Sequence, residues 1–201
     1  MQLELYTEAE ESPLSRTDRE KLGAILEQMR SGEMGKARVA LEDMATKYPE
    51  DTSLLYNLAL AEAHDKSLPK GKQRSRARLE HLVERFPEYL FAKAQLAREA
   101  IKEDNVARAQ DLLKLPEGVK RFHLDAYAAF IAAQGELQFA QGEVERAEEI
   151  LGMLEEMVGD DHSSYRILEQ AMLPDLEMGM LEKLLKPGFG RKRRGDDRRK
   201  T

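Results

Sequence analysis

The chain has 201 residues, a net charge of −6, 41% hydrophobic and 35% charged residues, 6% aromatics, no Trp and no Cys. That length supports a core of its own, and the missing cysteine excludes disulfides and thiolate metal sites. The dominant residues, Ala, Leu, Glu, Lys, Arg, Gln and Met, are good helix formers, which points to an all-α chain.

Met1–Pro13 is acidic without an apolar run, so it reads as a loose leader rather than a signal peptide, with the domain beginning at residue 17. Leu3 and Leu5 alternate as an edge strand would, but nothing nearby in sequence offers a partner. Thr17 is the expected N-cap of a first helix over Asp18–Met29, with Glu20 completing a capping box. A second helix covers Met34–Lys47 and Pro49 ends it. Thr52 or Ser53 starts a third, His64–Lys72 is a turn, and a fourth covers Gln73–Arg85. Leu90–Lys102 and Val106–Leu113 follow, the latter cut short by Pro116-Glu117-Gly118. Val119–Ala140 reads as one long helix apolar on more than one side, and Val144–Val158 pairs with it. Ser163 or Ser164 caps a helix to Leu173, and Pro174 starts a last, capping helix to Leu185.

One pattern recurs along this order: GEMGKARVALEDMATKYPED from Gly32, SRARLEHLVERFPEY from Ser75, DNVARAQDLLKLP from Asp104 and GEVERAEEILGMLEEM from Gly142. The small residue that lets two helices approach falls at Ala37, Ser75, Ala109 and Ala147, spacings of 38, 34 and 38. A period near 34 signals stacked helix-turn-helix units, because one helical pair cannot bury its own apolar face.

These residues resemble the tetratricopeptide repeat family. Leu58-Ala59 and Leu96-Ala97 match its first-helix step, and Ala37/Leu41, Ala109/Leu113 and Ala147/Leu151 match its second helix, with Ser75/Leu79 as a small-residue variant. Gly32 and Gly142 sit where the family has its inter-helix Gly. The resemblance covers Thr17–Gly159 and departs in lacking the first-helix Trp, in its early Pro116, and in placing Gln134 where Leu is usual. It implies an α-α superhelix over residues 17–186 and a protein-interaction module, scaffold, adaptor or co-chaperone-like. Its concave groove would hold a peptide or protein. In the family's register that groove includes Tyr56, Asn57, Leu60, His64, Gln95, Arg98 and Lys102, with Arg98 and Lys102 placed to grip a carboxylate. The other reading of these positions is a solvated face with Asn57 bonded locally.

Other chemistry finds little footing. His64, His81, His123 and His162 lack the spacing that sets two ligands on one helix face, so no metal, cofactor or catalytic site is expected. The C-terminal methionines, Met153, Met157, Met172, Met178 and Met180, read as core fillers. No apolar run is long enough to cross a bilayer, and a soluble, cytoplasmic protein is expected. Residues 187–201 form a basic tail with Arg191, Lys192, Arg193, Arg194, Arg198, Arg199 and Lys200. From Lys183 onward nine Lys or Arg stand against two Asp, so a +7 segment follows a body of −13. That tail supports an alternative function, association with nucleic acid.

Overall fold

The computed structural model describes residues 3–7 and 13–173, which are mostly helical. In chain order these residues form β1 (Glu4–Tyr6), α1 (Arg16–Arg30), α2 (Met34–Lys47), α3 (Thr52–His64), α4 (Gly71–Arg85), α5 (Leu90–Lys102), α6 (Val106–Leu112), β2 (Arg121–His123), α7 (Leu124–Ala140) and α8 (Val144–Val158). A further helix, α9, covers residues 163–173. The last helix expected from Pro174 and the basic tail lie outside the described residues. No described helix is long and apolar enough to cross a membrane.

Consecutive helices are joined by short turns and pack on one another, α1 on α2, α3 on α4, α5 on α6 and α7 on α8, and each pair rests on the next. The recurring small residues sit at these crossings: Ala37, Ala109 and Ala147 are fully buried and Ser75 nearly so. Gly135 marks a closer approach still. A Cβ there would lie 2.5 Å from Leu168 of α9 and 3.0 Å from Ile150 of α8, so only glycine admits this contact without movement.

Helix boundaries depart from the sequence reading where tertiary contacts intervene. Ser15, not Thr17, caps α1: its Oγ accepts from the Asp18 N–H. The Asp18 carboxylate is drawn inward, accepting from Ser15 Oγ, Lys47 Nζ and Tyr48 Oη at 2.6, 2.7 and 2.6 Å. These partners, Lys47 foremost, hold its pKa well below the carboxylate range and raise that of Lys47. Helix α4 begins two residues earlier than expected because Lys70 turns through the left-handed region (φ 58°) and Gly71 tucks against the Glu62 carbonyl. A Cβ on Gly71 would lie 2.2 Å from that oxygen.

The largest correction concerns the leader and the long helix. Residues 121–123 are not helical: they form β2, and the leader supplies its partner. The strands run parallel, with Glu4 opposite Arg121, Leu5 opposite Phe122 and Tyr6 opposite His123. Leu3 packs on the core built by α5 to α9, whereas Leu14 is buried in the core of α1 to α3. The described parts of the leader, at residues 3–6 and at Leu14, are thus attached to the body, where a loose segment over residues 1–16 was expected. Its pairing spans more than a hundred residues, so no local sequence window could show it.

Candidate functional site

The first helices of successive pairs, α3, α5 and α7, bring the expected groove residues together only in part. Tyr56 of α3 meets Tyr89 and Phe91 at the start of α5, with ring centroids 5.9 and 5.7 Å apart, and Tyr89 and Phe91 are 5.7 Å apart. Three rings this close fill the space between them. A cation held by three faces needs wider separation, so this is a packed aromatic cluster rather than a cage. Burial pushes the Tyr56 hydroxyl pKa above its ordinary value, and the charge of Arg98 opposes that shift.

Arg98 is engaged within the chain. Its Nε donates to Glu136 Oε1 of α7 at 2.6 Å and its Nη2 to the Ala129 carbonyl at 3.3 Å. Both side chains of this pair are about seven-eighths buried, 12% and 13% exposed. The expected Arg98–Lys102 grip on a ligand carboxylate is therefore corrected: a carboxylate of the chain itself already occupies Arg98. Lys102 is exposed at the end of α5. Asn57 Nδ2 donates to the Ser53 carbonyl one turn back at 2.8 Å, the local bonding that competes with ligand recognition. Leu60 and Gln95 are half-buried and His64 is exposed.

Three residues of this face were not singled out from the sequence: Tyr89, Phe91 and Glu136. A signal for Glu136 exists. Leu60, Arg98 and Glu136 are spaced by 38 residues each, as Ala109 and Ala147 are. They occupy one repeat position on three successive first helices.

The third pair accounts for the departure at Gln134. Helix α6 has seven residues, about half the length of α2, α4 and α8. Stopping early leaves carbonyls that need donors. Gln134 Nε2 donates to the Leu113 carbonyl at 3.2 Å, and buried Lys93 Nζ donates to the Lys114 carbonyl. Burial lowers the Lys93 pKa, with Asp111 opposing. A leucine at Gln134 would cap nothing. Beside it an open cleft of about 510 Å³ lies between α6, α7 and α8, with Gln110, Gln134, Gln138 and Arg146 among its lining residues. A second, of about 540 Å³, lies between α1 and α2 around Asp18, Ile25 and Tyr48. Neither includes Tyr56, Gln95 or Arg98.

Among the described residues no three His, Asp or Glu side chains converge as a bound metal would require. Of the C-terminal methionines, Met172 is fully buried and Met153 is 43% exposed, while Met178 and Met180 lie outside the described residues. The tail residues Arg191, Lys192, Arg193, Arg194, Arg198, Arg199 and Lys200 lie outside them too. Comparison of this chain with protein-family models, with curated proteins and with solved structures gives no match in any of the three.

Proposed function

We propose that the chain is a divergent tetratricopeptide-like superhelix. Its function is to bind a peptide or protein partner on the face shared by α3, α5 and α7, as a scaffold or adaptor. The observation that carries this reading is the juxtaposition on successive first helices of Tyr56 with Phe91 and of Arg98 with Glu136. Tyrosine is among the residues that concentrate binding energy at protein interfaces, and here Tyr56 is pre-positioned by Tyr89 and Phe91. The Arg98–Glu136 pair neutralises its own charge, so recognition rests on the aromatic cluster, Leu60 and Gln95, with Lys102 steering at one end. The alternative, nucleic-acid association, rests on the +7 charge from Lys183 onward.

A capture experiment separates these readings. The double variant Gln95→Glu/Lys102→Glu changes this face without touching the core. It should lose a partner that wild type retains, with its melting curve unchanged. Glu145→Lys/Glu148→Lys, on exposed positions of α8, should keep that partner. Retention by the first variant, or loss by the second, contradicts the proposed face. A chain ending at Leu185 should bind the same partner. If it loses the partner and the wild-type complex is sensitive to nuclease and to salt, the tail reading replaces this one.

A further inference from the structure

We propose that β2 is a strand-acceptor site for an extended segment of the pattern apolar–acidic–any–aromatic. The chain's own Leu3-Glu4-Leu5-Tyr6 occupies it as an internal pseudo-ligand. The two sides of this contact are built very differently. The acceptor is rigid. Phe122 is 3% exposed and its ring stacks on Tyr127 of α7 at 6.3 Å. His123 caps α7, its Nδ1 accepting the Asp125 N–H at 3.2 Å. The occupant is a three-residue strand whose central residue, Leu5, is 38% exposed.

Each recognition element serves one position of the occupant. The Glu4 N–H donates to the Lys120 carbonyl at 2.8 Å, which sets a donor parallel to β2. Arg121 Nε pairs with Glu4 Oε1 at 3.3 Å, selecting an acid. The Arg121 guanidinium lies 5.0 Å over the Tyr6 ring, and that ring meets His123 edge-on at 5.5 Å, selecting an aromatic two residues after the acid. Leu3 fills an apolar site on the core. Main-chain pairing provides affinity and the alternating pockets provide specificity, as in other strand-addition interfaces. Both partners of the Glu4–Arg121 pair are more than half exposed, so that contact holds the occupant weakly. The occupant persists because it is tethered, at an effective concentration on the order of millimolar. A partner bearing the same pattern on a surface that adds contacts outside β2 displaces it. This site is distinct from the face of α3, α5 and α7 and does not depend on it.

The chain has no cysteine, which permits a clean test on full-length protein. The probe is a fluorescently labelled peptide of residues 1–7, followed by anisotropy. Leu3→Asp/Tyr6→Asp unseats the internal strand and should bind the probe at least tenfold more tightly than wild type. Glu4→Cys/Arg121→Cys locks the strand when oxidised and should bind the probe at least tenfold more weakly than the same variant reduced; both states lack Arg121, so their difference reads only whether β2 is free. A probe with Glu4→Lys and Tyr6→Ala should bind the unseated variant at least tenfold more weakly than the parent probe. Circular dichroism checks the fold of each variant, and the oxidised-against-reduced comparison stands even if the unseated variant unfolds. Equal affinities between the two states, or no binding to any form, overturns the proposal. Cross-links between chains rather than within one overturn the internal-occupant part of it.

Discussion

The α2–α4 region and the α7–α9 region are the same helical arrangement held by opposite means. Between α2, α3 and α4 the interior admits charge. Glu62 is fully buried and takes two hydrogen bonds from Arg78, at 3.1 and 2.9 Å, with Arg74 3.8 Å away. Asp65, also buried, accepts from Arg38 at 2.9 Å and from the Ser67 N–H and hydroxyl at 2.9 and 2.6 Å. Arg38 and Arg74 both reach Glu42, so the pairs join into one network. Around α7 the interior is small and apolar: Ala128, Ala132 and Ala133 are fully buried, and Gly135 lets Leu168 approach. The interior beside α3 thus tolerates charge where arginines can satisfy it, and α7 requires a missing side chain where helices touch. The two regions should respond to different perturbations.

The largest expected effect breaks the charged region. Glu62→Ala leaves Arg78 without its buried partner and should cost about 3 kcal/mol in urea-denaturation stability. Glu62→Leu/Arg78→Leu should recover much of that loss, because no uncompensated charge remains. Recovery failing entirely would mean that the geometry of the pair, not its charge balance, holds α3 to α4. Next comes the apolar region. Gly135→Leu forces atoms into the space of Leu168 and Ile150 and should cost about 2 kcal/mol. A wild-type midpoint for this variant would show that α9 does not rest on α7.

Ser75 sharpens the comparison with a smaller effect of the opposite sign. It fills the crossing that Ala occupies in the other three pairs, and its Oγ is buried without a hydrogen-bond partner. Removing an unsatisfied buried hydroxyl should stabilise, so Ser75→Ala should raise stability by about 1 kcal/mol. A loss of stability would mean that the hydroxyl finds a partner in solution.

What the sequence made legible follows from range. Helices α2, α5 and α8 have the bounds expected, with Pro49, Pro87, Gly142 and Gly159 lying just outside them, because such breakers act within one turn. The small-residue register at Ala37, Ser75, Ala109 and Ala147 was legible because a close crossing recurs once per pair. The β1–β2 pairing was not: Leu3 and Leu5 alternate as a strand would, but β2 is too short to show a period and lies more than a hundred residues away. The Arg98–Glu136 pair was half legible. Its spacing matches the repeat, but that two charges at this position bond to each other depends on how closely α5 and α7 pack. Gln134 was visible only as an exception, and its use became plain once α6 was seen to stop early.

The difference between the two regions is tested most directly by acid. Hydrogen bonds from Ser67 and Arg38 lower the Asp65 pKa from 3.8 to about 2, and Asp18 is lowered too by Lys47, Ser15 and Tyr48. A carboxyl with a depressed folded pKa contributes stability that is present above its unfolded value. That contribution is lost as pH falls through the folded one. The window here runs from about pH 4 down to about pH 2. Hydrogen exchange read by mass spectrometry at pH 5 and pH 2.5, corrected for intrinsic rates, resolves the regions within one molecule. Peptides from α1 to α4 should lose protection on acidification, while those from α7 and α8 keep most of theirs. Equal loss in both regions, or loss beginning at α7, would contradict the account.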